Sequence, residues 1–453
     1  MLCLTACAPE LTRGARERCP SVGESSAASI TTPSGATAYV ESPEIRATHR
    51  DILMIGAPSF AFGALGGALT RVDGQRITTQ FAGVRLGVDA SGAPRQNSAV
   101  LVPLPAGVER MDTPRLFATG EAPEAQIAWR QGSLQPSDGL DRTVWVSTLR
   151  DTHWSQPSAL IAEESFPAWG ATKTSRVDQL SKSATVTVPM SMSRGDSVFV
   201  LSLAAENRIA VRTVAAPSHV YSSVVRNPDS ASRLSLLFVT GTATASNVLH
   251  SVRSQDSGAT WYGLRMVDTA QALPALSPLL LRANTSSLVA VWKEVNIADA
   301  RHRIRVAFAS EATAEWQVGP DLELRGSFTP FDAIVFGGRT LVLTSTDDDK
   351  LRGLRLLALD GAGWRTIWMD LGTGIVLGTP RLATLASGAL LMVWSTQNSV
   401  DGTAEPPKTR IAVLAAACVA RASSERLRVG NVHDVERHAQ QRYALIGRVS
   451  PIE

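Results

Sequence analysis

Three arginines carry the side chains best suited to recognition in this chain. Arg115 and Arg381 occupy the same place in two copies of Thr-Pro-Arg-Leu, and Arg282 lies on the corresponding apolar run in PLLLRANT. A guanidinium offers a planar fork of donors that fits a carboxylate through two bonds at once. On strands lining one channel these groups would converge on an anionic ligand; the alternative is that each pairs with a carboxylate at a strand end. Tyr221, in SHVYSSVVR, falls on a comparable run, where it is either a ligand contact or a packed aromatic.

Other groupings hold less chemistry. Asp347, Asp348 and Asp349 in STDDDKLRG could supply hard oxygen ligands, but a solvated acidic loop between two strands accounts for them, and no metal site is assigned. The closest histidines, His433 and His438, are five apart, which on a helix turns their rings about 140° from each other. The glycines of GGALTRVDG and GTGIVLGTP lack the strand, loop and helix context of a phosphate site. No cofactor is expected. The 44 basic and 41 acidic side chains are interspersed, which leaves a net charge of +3 and no basic face for nucleic acid. No apolar run reaches the roughly 20 residues of a membrane-spanning helix.

A series of short strands must position the arginines. The chain has 453 residues, 44% of them hydrophobic, which is enough to bury a sizeable core. From about Arg50 onward, runs of Val, Leu, Ile, Trp and Thr alternate with Gly, Pro, Asp, Asn and Ser. Four of them share one plan of a proline, an apolar strand, a small-residue turn and a second apolar strand. They are TPRLFATGEAPEAQIAWR, SPLLLRANTSSLVAVWKE, TPFDAIVFGGRTLVLTST and TPRLATLASGALLMVWST. Trp292 and Trp394 are 102 residues apart with TLVLT midway, which gives a repeat of about 51 residues. Each unit then runs through a polar turn into Trp154, Trp261, Trp316 or Trp364. The expected fold is an all-β propeller of four-stranded antiparallel blades, seven in number with six as the alternative count. Its first strands line the channel, and its tryptophans anchor neighbouring blades.

One turn is diagnostic. Ser254, Asp256, Gly258, Thr260 and Trp261 in SQDSGATW match the Asp box, S-x-D-x-G-x-T-W, and the chain from about Arg50 to Ala420 resembles the sialidase-like propellers, with degenerate copies around Asp151, Glu311 and Asp360. The Ser hydroxyl and Asp carboxylate suit the backbone groups of a tight turn, Gly258 permits a positive φ, and Trp261 fills the gap between strands. The resemblance implies that this turn joins a third and a fourth strand, away from the mouth where sugars bind.

Retained sialidase activity would further imply three arginines on the substrate carboxylate, a Tyr–Glu nucleophile and an Asp acid/base. The family's Arg-Ile-Pro motif is replaced in HRDILMIG, where Asp51 and Ile52 follow Arg50. Tyr39 lies in a tether, Tyr262 follows the Asp box, and Tyr443 in QQRYALIGRV falls in a run that reads as a closing terminal strand.

The N-terminus carries a second resemblance. Leu4-Thr5-Ala6-Cys7 resembles a bacterial lipobox, which implies an acylated Cys7 and a true start upstream of Met1. Residues 1–7 are thus a truncated lipoprotein signal, 8–48 a tether, 49–420 the propeller, and 421–453 a C-terminal segment that can close the ring. Cys19 and Cys418, one near each end, can form a disulfide in an oxidising compartment; Cys418 can equally be a small buried hydrophobe. The expected protein is exported to the bacterial cell envelope or secreted, touches the membrane only through its lipid, and binds a glycan or extracellular protein without catalysis. The alternatives are a divergent exo-sialidase-like glycoside hydrolase and a structural surface-assembly component. The sequence assigns no oligomeric state.

Overall fold

The computed structural model describes backbone elements between Gly23 and Ser424 and, within them, side chains mainly over 223–420, with short runs between 102 and 159. The described residues are nearly all β. The Asp-box sheet is an antiparallel meander of His219–Asn227, Ser230–Thr240, Val248–Ser254 and Tyr262–Met266. The Trp292 sheet follows with Ala275–Arg282, Ser287–Asn296 and Arg301–Ser310, the last pairing with both Trp316–Val318 and Leu322–Arg325. The Thr344 sheet comprises Phe331–Phe336, Arg339–Asp348, Leu351–Asp360 and Gly363–Leu371. The Trp394 sheet begins Ile375–Thr384, Leu390–Gln397 and Lys408–Leu414. It belongs to a continuous 17-stranded sheet with the meanders that start at Asp51–Gly56 and Arg110–Ala118, while Val188–Arg194, Ser197–Leu203 and Ile209–Ala215 form a sheet of three.

The near-continuous apolar runs have a physical reason: both faces of each sheet are covered. Along Ser230–Thr240, Leu234, Leu236 and Phe238 enter one core cluster, and the intervening Leu237 and Val239 enter another that they share with Ala290 and Trp292. Along Ser287–Asn296, Val289 and Val291 point the other way, into a cluster with Ala333 and Val342. Leu341 and Leu343 in turn share a cluster with Leu390, Met392 and Trp394. Four sheets therefore stack face to face in chain order. Trp129, Trp292 and Trp394, each on the second strand of its meander, are fully buried. Two of the tryptophans after polar turns, Trp316 and Trp364, reach across to the preceding sheet, as expected of anchors. Trp316 Nε1 donates to Ser251 Oγ at 2.8 Å, and Trp364 Nε1 donates to the Pro320 carbonyl at 2.8 Å.

The shared Ser/Thr-Pro motif is a bulge. The register of Ala275–Arg282 breaks between Leu276 and Leu279, that of Ile375–Thr384 between Leu377 and Arg381, and that of Arg110–Ala118 between Asp112 and Arg115. Each break contains a proline, which has no N–H to give to a ladder, and Ser277 takes a φ of 56°. In two of these ladders a backbone N–H just past the bulge turns to the neighbouring sheet. Leu280 N donates to Ser223 Oγ at 3.0 Å, and Leu382 N donates to Asp332 Oδ2 at 2.8 Å, so successive first strands are stitched together.

Three sequence expectations change. Gly23–Ser25 falls within the expected tether but forms a strand paired antiparallel with Lys408–Leu414, so among the described residues an N-terminal strand completes the Trp394 sheet. The expected boundary at residue 420 falls inside a helix, α1, which spans Ala416–Ser424. Its alanines have the highest intrinsic helix propensity. Asp347 and Asp348 lie within Arg339–Asp348, opposite Arg352 and Leu351, instead of in a loop. Cys418 is disulfide-bonded, not a free buried thiol. Cys3, Cys7, Cys19, Tyr39, His433, His438 and Tyr443 lie outside the described residues.

Candidate functional site

In each antiparallel meander the end of the first strand and the end of the third share one edge. In the Asp-box sheet that edge holds Asn227 and Ser254. The Asp box closes on itself there, between the third and fourth strands. Ser254 is buried; its Oγ donates to Asp256 Oδ1 at 2.7 Å and accepts from Gly258 N at 2.7 Å. Asp256 Oδ1 accepts from Thr260 N at 2.8 Å and Oδ2 from Thr260 Oγ1 at 2.6 Å. These bonds, led by the Thr260 hydroxyl, lower the Asp256 pKa to about 2. Ser257 and Gly258 take φ of 59° and 87°, a conformation that glycine tolerates best. Trp261 packs against the cluster of Val224, Leu234 and Phe238.

The degenerate copies do different work. Glu311 occupies the equivalent turn of the Trp292 sheet, but its carboxylate turns away from that turn. It accepts from Arg282 NH1 at 2.9 Å and from Arg282 NH2 at 2.7 Å, and also accepts from Asn227 Nδ2 of the preceding sheet. Asn227 Nδ2 donates as well to the Thr285 carbonyl at 3.1 Å, and Arg253 NH1 donates to the Glu311 carbonyl. Asp360 pairs with Arg365.

The opposite edge holds a second polar network that the sequence reading did not single out. Arg305 joins Asp268 at 2.7 Å and Asp321 at 2.8 Å, and approaches Glu294 at 3.6 Å. Arg303 joins Glu294 at 2.7 Å and Asp321 at 3.0 Å. Trp292 Nε1 donates to Glu294 Oε1 at 3.1 Å, and Arg305 lies 5.7 Å from the Trp292 ring centroid. Two guanidinium groups among three carboxylates, with Asp268 contributed from the end of the Asp-box sheet, make an ionic seam between sheets. The signal for it was in the sequence as charges embedded in apolar strands, VAVWKEV and RIRVAF. On the other face of the same strands Lys293 and His302 are both buried. Burial, and secondarily Lys293, lowers the His302 pKa to about 4.

The expected arginine cluster divides. Arg381 and Arg115 follow the bulges of their strands at matching register, opposite Val393 and Ala128, and Arg381 is half-buried. Leu279, not Arg282, holds that register in the Trp292 sheet, opposite Val291. Arg282 sits three residues farther on, at the Asp-box edge, with its side chain fully buried against Glu311. Of its two expected readings, a channel-lining ligand contact and a group paired with a carboxylate at a strand end, the second is the observed one. Tyr221 lies in the backbone of His219–Asn227. Tyr262 is exposed on an outer strand, with Arg253 5.4 Å from its ring centroid.

No family model and no curated protein matches this chain. Among solved structures it is similar to a Dyadobacter fermentans protein of unknown function, at TM-score 0.46 and 11% identity, over 87% of this chain and 100% of that one. It is also similar to Trypanosoma rangeli sialidase in complex with the inhibitor DANA, at TM-score 0.43 and 12% identity, over 87% of this chain and 60% of the sialidase. A third is the α-L-arabinofuranosidase Arb93A from Fusarium graminearum, at TM-score 0.41 and 12% identity, over 88% and 99%. At these values nothing about substrate or chemistry transfers.

Proposed function

We propose that the chain is an exported, lipid-anchored seven-bladed propeller that binds a glycan or an extracellular protein at its axial or loop face without hydrolysing it. The observation that carries this reading is the Arg282–Glu311 pair. A carboxylate clamp of the sialidase kind needs three guanidinium groups at one mouth, and Arg282 is committed to Glu311, which leaves Arg115 and Arg381 as the remaining candidates. Two arginines at matching register suit an anionic group on a ligand without supplying the nucleophile and acid that hydrolysis requires. The blade count rests on three meanders within the continuous sheet together with the sheets of 188–215, 219–266, 275–325 and 331–371. The disulfide at Cys418 favours an oxidising compartment.

The test measures release of free sialic acid from sialyllactose by mass spectrometry, alongside binding of the same protein to an array of sialylated and uronate-bearing glycans. Array binding that is weakened at least tenfold in an Arg115→Ala, Arg381→Ala variant, with no release, is the expected result. Release that the variant loses would replace this reading with a glycoside hydrolase.

A further inference from the structure

The fourth strand of the Asp-box sheet, Tyr262–Met266, lies at the margin of that sheet, paired on one side with Val248–Ser254. It carries three large apolar side chains in contact with solvent: Tyr262, Leu264 and Met266 are 40%, 59% and 43% exposed. We propose that this margin is a docking edge for an extended peptide of a partner protein, which adds a strand to the sheet and sets an acidic residue opposite Arg265.

The backbone is arranged for such an addition. Val267 N donates to the Leu249 carbonyl at 2.9 Å, and the same register pairs His250 with Met266 and Ser251 with Arg265. Bonding alternates along an antiparallel strand, so Val267 and Arg265 turn their N–H and C=O inward, while Leu264 and Met266 turn theirs outward. An incoming antiparallel strand takes about four hydrogen bonds from those two residues. Its residue between them meets Arg265 in the closer, non-hydrogen-bonded pairing, and its flanking side chains pack beside Leu264 and Met266.

Charge selects the occupant. Arg265 is exposed and is paired with no carboxylate among the described residues. Arg253, on the same face, donates through NH1 to the Glu311 and Ala312 carbonyls and lies 5.4 Å from the Tyr262 ring centroid, so it adds a second positive charge. A second copy of this chain fits poorly. Bonding all the outward groups of two antiparallel copies centres the pair on Arg265 and sets it against the same arginine, and like charges directly opposed are destabilising. Centring on Leu264 instead runs the pairing into the register break at Gly263, whose φ is 69°.

Three other sheets guard this position. Ile367 and Trp368 of Gly363–Leu371 pack against the cluster that holds Val419 of α1, Lys408–Leu414 is bordered by Gly23–Ser25, and the outer position of the Trp292 sheet is split between strands of three and four residues. The docking edge is formed by residues other than Arg115 and Arg381, and it stands whichever ligand they take.

Fluorescence anisotropy of the full chain with a labelled, end-blocked peptide, Ser-Thr-Thr-Leu-Glu-Leu-Thr-Thr-Ser, tests the edge. This peptide should bind saturably, and its Lys-for-Glu counterpart about tenfold more weakly. Arg265→Glu should exchange that preference, and Leu264→Ser should weaken the acidic peptide about fivefold. Both positions are exposed, and unchanged melting temperatures check the fold. Hydrogen exchange at the Leu264 and Met266 amides should slow on binding. Equal binding of the two peptides, no saturable binding up to about 1 mM, or unchanged exchange at Leu264 and Met266 would overturn the proposal. So would a dimer in sedimentation that Leu264→Ser dissolves, because it would give the edge to a second copy.

Discussion

Arg282 and Glu311 meet through two parallel hydrogen bonds, and the arginine side chain is wholly removed from solvent while Glu311 retains 12% exposure. The pair ties the first strand of the Trp292 sheet to the turn after its third strand, and Asn227 extends it to the preceding sheet. Removing the carboxylate strands a buried positive charge. Glu311→Gln should therefore lower unfolding free energy by about 3–5 kcal/mol in urea denaturation. Arg282→Lys should not rescue it, because an ammonium cannot reproduce the planar fork.

Asp256 should make the Asp-box sheet acid-sensitive only at the extreme. Its folded pKa of about 2 lies below the ordinary 3.8, so its stabilising contribution is complete above 3.8 and is lost as pH falls through 2. The melting temperatures of wild type and Asp256→Asn should differ at pH 5 and converge near pH 2. A gap that persists at pH 2 would mean that the ionised carboxylate is not what holds the turn.

His302 acts in a different window. Its folded pKa of about 4 lies below the ordinary 6.5, so the folded state binds fewer protons than the unfolded chain between those values. The neutral ring is compatible with the fold above pH 6.5, and stability is lost as pH falls from 6.5 through 4, on the order of 2 kcal/mol. A His302→Gln variant should show a flatter stability profile across that range, and an NMR titration of the His302 ring should show no protonation at pH 6.

Gly319 is a packing contact. A β-carbon built there would lie 2.9 Å from Val306 Cγ1 and 3.0 Å from the Phe308 ring. Gly319→Ala should cost about 1–3 kcal/mol by equilibrium unfolding, and a double variant with Val306→Ala should recover part of it.

The sequence made the sheets legible because both faces of each are buried, so strands such as SLVAVWKEV read as apolar runs between turn residues at a regular interval. The Asp box was legible because each residue type serves the turn in which it sits. The choice between the two readings of Arg282 was not legible, because assigning a residue to a first strand does not say which edge of the sheet it occupies. That depends on the three-residue offset from the bulge at Pro278, which only the pairing register reveals. The tryptophan anchors were expected, but the ionic seam around Arg305 was not, since its partners Asp268, Glu294 and Asp321 are scattered over separate strands and connections. The N-terminal strand was hidden by its length, because three residues of mixed polarity carry no period.

That short strand also has a direction. It runs antiparallel to Lys408–Leu414, with Gly23 opposite Ile411 and Ser25 opposite Thr409, so its Gly23 end lies toward the third-strand end that corresponds to the Asp box, and the third strand of the Trp394 sheet is covered on the side where the other sheets carry their fourth strand.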